Sequence, residues 1–181
     1  MPDPEFTLLG DACWLDFVNT VRGRTASPPD LLPDPAAYHR WTKAEKLASD
    51  VDVVPFEEIL RFRRELTRLA QSLSAGRHPP ASAVAAINLR LAHETGREQL
   101  VRTTGIWQLR FAPARAPGAL EAIARSAALS LADRLRTVRQ CAADPCSLFF
   151  LDGSTTQSRR WCSAAACGGR GRIERRRGLA R

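Results

Sequence analysis

Residues 139–181 read RQCAADPCSLFFLDGSTTQSRRWCSAAACGGRGRIERRRGLAR and hold four of the chain's five cysteines. Cys141 and Cys146 form one C-x4-C pair, Cys162 and Cys167 a second, and 15 residues separate the pairs. Two short-spaced pairs at this separation can converge four thiolates on one tetrahedral zinc, each pair on a tight turn. The segment between them goes out and back. Residues 147–151 predict an outgoing strand, residues 152–154 a turn, and Arg159, Arg160 and Trp161 the return that delivers Cys162. An Ala-rich turn then carries Cys167 into a basic C-terminal helix. Knuckle, hairpin and helix start together predict a treble-clef-like zinc finger.

Disulfides or unpaired core thiols are the alternatives. The chain opens on the acidic segment Met1 to Glu5 with no apolar signal region after it, so a cytoplasmic location is expected. In that reducing compartment paired cysteines favour a metal. Four thiolates close the coordination sphere, so the expected cofactor is one structural Zn2+ rather than a catalytic one. A module of about 40 residues buries too little apolar surface to fold alone. Zinc, at roughly 10–16 kcal/mol in small fingers, supplies the difference. Phe149, Phe150 and Trp161 are the expected mini-core over the metal.

Charge is concentrated at the same end. The chain has 27 Lys and Arg against 19 Asp and Glu, a net charge of +8. Residues 158–181 hold eight arginines and one acid, Glu174, and so carry all but one of those excess charges. Arginine offers a planar fork suited to phosphate and guanine. The candidate nucleic-acid contacts are therefore Arg159, Arg160, Arg170, Arg172, Arg175, Arg176 and Arg177.

Trp161-Cys162, followed by Cys167-Gly168-Gly169-Arg170, resembles the C-terminal CGNR zinc finger of bacterial proteins. Phe150-Leu151-Asp152 and Arg159-Arg160-Trp161-Cys162 stand where that finger has its aromatic strand and basic return. Gly169 departs from the pattern by replacing the family's asparagine. At the other end, Leu15-Asp16-Phe17-Val18-Asn19-Thr20 is similar to the motif that opens the ABATE domain, the usual companion of this finger. The resemblance implies a DNA-binding transcription regulator.

Trp14, Phe17, Val18 and Val21 fall on one helical face, which predicts a central buried helix capped by Asp11. Asp16 and Asn19 are its polar residues, either bonding loop backbone or lining a candidate ligand pocket. Helices are also predicted from Asp34 onward and over residues 55–74, 81–93 and 117–136, the last with Leu120, Ile123, Ala127, Leu131 and Leu135 inward. Residues 97–102 and 106–111 predict a small β-hairpin. The short connection from the last helix to Cys141 predicts a docked finger.

No catalytic motif occurs, the three histidines are scattered, and no enzyme activity is expected. No run of 18 apolar residues exists, so no membrane span is expected. The expectation is an α+β chain, with a mainly helical ABATE-like domain over residues 1–137 and a CGNR-type finger over residues 138–181. DNA is the expected partner, and the N-terminal domain either senses a small-molecule effector or forms a homodimer. A zinc-stabilised RNA- or protein-interaction module is the alternative.

Overall fold

Trp14, Leu15, Phe17 and Val18 are wholly buried, and Asp16 and Asn19 between and after them are buried too, so this seven-residue helix is covered on every side and belongs at the centre of its domain. This helix, α1 (Cys13–Asn19), is the hub of the computed structural model, which describes residues 6–48, 54–92, 95–133 and 135–169. Its N-cap is Ala12, not Asp11; the Asp11 backbone is left-handed (φ 57°) and its carboxylate pairs with Arg159. No side chain of its own segment caps the helix; the Trp14 amide donates to Ser126 Oγ at 3.4 Å, and Asp16 turns back to accept the Gly10 amide at 2.8 Å.

Around α1 pack α2 (Pro35–Ala44), α3 (Phe56–Ser74), α4 (Ala81–Leu91) and α5 (Ala119–Ala132). Asp34 caps α2 through the Ala37 amide at 2.7 Å, with Pro35 at the first helical position. Tyr38 and Trp41 then meet the Phe17 ring at centroid distances of 6.2 and 5.1 Å. The amphipathic α3 turns Ile59, Phe62, Leu66 and Leu69 inward. Its buried Arg63 reaches Asp30 in the proline-rich loop through two bonds of 2.6 and 2.8 Å, and Thr20 at 2.9 Å. Helix α5 stops at Ala132, earlier than its periodicity predicts, and Leu135 is 78% exposed rather than in the core. Leu120, Ile123 and Ala127 do face inward.

Two antiparallel hairpins complete the α+β architecture. In the first, β1 (Gly96–Thr103) pairs with β2 (Ile106–Pro113) across the two-residue turn Thr104–Gly105, both of positive φ. That geometry matches the right-handed twist of a ribbon. Most of its side chains are exposed on both faces, so it projects from the helices.

In the second, β3 (Thr137–Gln140) pairs with β4 (Phe149–Asp152), and the knuckle carrying Cys141 and Cys146 is the loop between them. The sequence places the return strand at residues 159–161. That segment instead contributes the Arg160 carbonyl, which accepts the Ala142 amide at 2.8 Å. The reason lies at the other edge of β4, where the Phe149 amide donates to Asn19 and the Leu151 amide to the Gly10 carbonyl. No edge is left for a third strand.

Strand alternation decides where the aromatics go. Phe149 and Leu151 enter the helical core with Val138, while Phe150 joins Leu148, Ala143 and the four cysteines on the opposite side. The expected mini-core of Phe149, Phe150 and Trp161 is thus split, with Phe149 spent on the helices.

Candidate metal centre

Each cysteine pair is held by local geometry. Cys141 and Cys146 flank the knuckle, closed by the bonds from Cys141 N to Leu148 O at 2.9 Å and Cys146 N to Ala143 O at 2.7 Å. Cys167 lies on a short π-helical turn, Ala164–Gly168, whose start is capped when the Ser163 hydroxyl accepts the Ala166 amide at 3.2 Å. The Cys162 amide points at Cys141 Sγ from 3.5 Å.

All four cysteines are buried, and their sulfurs lie within 4.8 Å of one another. Cys162 Sγ sits 3.8 Å from Cys146 Sγ and 3.7 Å from Cys167 Sγ. A regular tetrahedron with Zn–S bonds of about 2.3 Å has edges of about 3.8 Å. The quartet therefore has the dimensions of a Zn(Cys)4 site. Its electrostatics agree. Accepting a hydrogen bond from the Cys162 thiol pulls Cys146 down to about 5, while holding that proton for Cys146 pushes Cys162 well above the ordinary thiol range. Burial raises Cys167. Four thiolates this close repel one another, and a divalent cation at their centre relieves that repulsion. The residues fit one structural metal ion, with no coordination position left for a substrate.

A second buried group, Asp152, organises the frame around the cysteines. It accepts from the Ser154 amide and hydroxyl, the Arg159 amide and Arg139 Nε. Burial alone would raise this carboxyl, but the hydrogen bonds outweigh it and hold it below its usual range. The sequence marks Asp152 as the end of the finger's aromatic strand and the start of a turn; its role depends on Arg139, thirteen residues earlier, and that pairing has no sequence signature.

The other sequence candidates separate into distinct environments. Arg159 is engaged by protein on all three nitrogens: Nε donates to Trp161 O, Nη2 to Cys162 O, and Nη1 to the Asp11 carboxylate. Its guanidinium also lies 4.5 Å from the centre of the Phe150 ring. Arg160 is exposed, with its guanidinium 5.7 Å from the Trp161 ring centre. Arg170, Arg172, Arg175, Arg176 and Arg177 lie outside the described residues.

Asp16 and Asn19 face backbone. Asn19 Nδ2 donates to Phe149 O and its Oδ1 accepts from Phe149 N, both at 2.9 Å, imitating a neighbouring strand. Arg22 covers the Phe149 ring at 4.7 Å, and the Ser147 amide donates to Gly23 O at 2.8 Å. The recess beside the start of α1, about 470 Å3, is lined by Asp11, Ser126, Ser130, Asp133 and Arg136 and by neither Asp16 nor Asn19.

Comparison with known families agrees with both ends of the chain. Residues 11–145 match the ABATE model, described as "putative stress-induced transcription regulator", and residues 137–178 match the CGNR zinc finger. No curated protein matches the chain significantly. Among the described residues no helix is long and apolar enough to cross a membrane. With an ABATE match over most of its length and the finger's four cysteines gathered around one metal site, the chain belongs to the ABATE family and ends in a CGNR zinc finger.

Proposed function

We propose that this protein is a DNA-binding transcription regulator that contacts duplex DNA through its finger and the arginine-rich segment after it. One observation carries the reading. The cysteine cluster anchors the root of the segment that bears nearly all the chain's excess positive charge. Cys167 is buried in the cluster three residues before Arg170 in the sequence, and Arg160 is exposed. The family's description as a regulator points the same way.

Within this reading Arg159 positions the finger by gripping Trp161, Cys162 and Asp11, and Arg160 with Arg170, Arg172, Arg175, Arg176 and Arg177 supplies the contacts. The boundary near residue 137 separates the two sequence modules, which share one interface through β4. Asp16 and Asn19 serve as structural clamps rather than as a pocket.

The test is binding of the zinc-loaded protein to random duplex DNA and to RNA over a range of salt concentrations. Engagement of about five phosphates gives a log-affinity against log-salt slope near −4.5 on DNA. Replacing Arg175 and Arg176 by Ala flattens it by about two units on every duplex. A base-reading role for Arg170 shows as altered sequence preference in Arg170→Ala. Unchanged duplex binding in all of these variants, or a preference for RNA, overturns the DNA reading.

A further inference from the structure

The projecting ribbon β1–β2 is more apolar than an exposed hairpin can be without a partner. Leu100, Ile106, Trp107 and Leu109 are each more than 60% exposed. An isolated two-stranded ribbon is at best marginally stable in water. From the register, one face carries three cross-strand levels: Glu98 with Phe111 nearest the helices, Leu100 with Leu109 in the middle, and Arg102 with Trp107 nearest the tip. The other face carries Arg97, Gln99, Gln108 and Arg110 with Val101, Thr103, Ile106 and Ala112, so Ile106 lies apart from the other three at the tip. The first face is the apolar one.

We infer that this apolar face is a dimer interface, closed by the same ribbon of a second copy of the chain, packed face to face and antiparallel about a two-fold axis. The order of the three levels supplies the argument. A two-fold axis lying in the interface, across the strands at the Leu100–Leu109 level, superposes each residue on its mirror level in the other copy. Leu100 then meets Leu100 and Leu109 meets Leu109. Phe111 of each copy meets Trp107 of the other, and Glu98 meets Arg102. Each ion pair occurs twice.

Within one ribbon the two charges cannot satisfy each other, because four residues along a strand separate them by about 13 Å. Arg102 is held over its own Trp107 at 5.8 Å, with Nε donating to Gly105 O at 3.3 Å, so its charge stays at the tip level where the second copy's Glu98 arrives. At the base, Arg125 of α5 covers part of Phe111 from 5.9 Å, which leaves Leu100, Trp107 and Leu109 as the open centre. The parallel arrangement fails on two counts. It lays like levels together, so no acid meets a base, and it brings both helical bodies to the same end.

The test is the mass of the full-length, zinc-loaded protein, measured by sedimentation across a wide concentration range. The wild type is expected to dimerise. Leu109→Glu, which places two carboxylates at the axis, raises the dimer dissociation constant at least about a hundredfold. Glu98→Arg and Arg102→Glu each raise it about tenfold, since each turns two attractions into two repulsions. The double variant Glu98→Arg, Arg102→Glu returns to the wild-type value. That rescue identifies the antiparallel register and does not depend on whether Leu109→Glu folds well. A wild type that stays monomeric throughout overturns the inference, as does a double variant no better than the single ones. A wild type that is already monomeric and loses duplex affinity on Leu109→Glu would instead make the ribbon a nucleic-acid contact.

Discussion

Replacing Asn19 by Ala should loosen the finger and the helical domain together. The Asn19 side chain is 2% exposed and satisfies both backbone groups of Phe149 at 2.9 Å. Alanine removes two hydrogen bonds and leaves a buried N–H and a buried C=O without partners, a loss of roughly 2–4 kcal/mol in all. With a urea slope of about 2 kcal/mol per molar, the unfolding midpoint moves down by about 1–2 M. Zinc transfer to a competing chelator accelerates in step, because β4 supports the knuckle. Asn19→Asp sharpens the test. Its protonated carboxyl can accept from Phe149 N and donate to Phe149 O as the amide does, whereas the carboxylate sets a negative oxygen against the carbonyl. The introduced acid is therefore raised in the folded state, and its stabilisation is present at low pH and lost as pH rises. The gap to wild type narrows on acidification. A midpoint shift under about 0.3 M for Asn19→Ala would refute the clamp.

Metal analysis should give one zinc per chain, and Cys162→Ser should lose it, because Cys162 Sγ lies 3.8 and 3.7 Å from the sulfurs of Cys146 and Cys167; equal metal content in both would count against the site. Burial pushes Asp16 and Glu45 up to about 7, and Glu45 also has a buried, unpartnered Oε1. The folded state then holds those protons more tightly than the unfolded chain, so this stability is full below about pH 4 and lost as pH rises through about 7. Glu45→Gln should flatten the fall relative to wild type, read as urea midpoints between pH 4 and 8. Arg159→Ala should lower stability and speed zinc loss, while Arg160→Ala should leave both unchanged and weaken duplex binding; the reverse pattern would exchange their roles. Ending the chain at residue 137 removes Val138, Phe149 and Leu151 from the core, so the remainder should unfold at a midpoint well below that of the full chain.

The metal site was legible in the sequence because a doubled C-x4-C spacing is local and has few other uses. The helices were legible where periodicity was long, as in α3, and where a cap was explicit, as at Asp34. Sequence pattern and structure part where a distant partner decides the outcome. Residues 159–161 look like a return strand until Asn19 and Gly10 occupy the edge they would need. Phe149 and Phe150 look equivalent until alternation sends them to different cores. Leu135 continues the apolar spacing of α5, but the helix has already stopped at Ala132. Asp16 and Asn19 were recognisable as unusual polar residues inside an apolar helix. What they bond depends on Gly10 and on a strand 130 residues away, which no local pattern encodes.

The joint between α1 and β4 also sets an order of events during synthesis. Asn19 is made early and its partner Phe149 late, so the central helix cannot complete its packing until most of the chain has been translated. Contacts of such long sequence separation slow folding, because the loop between them must be closed before it is rewarded. At about 5–20 residues per second, α1 waits several seconds or more for the strand that covers it. During that interval the side that receives β4 is available to chaperones or to other nascent chains. Cys162 and Cys167 emerge later still. Metal capture is therefore the last step of maturation, locking a strand the helix has already received.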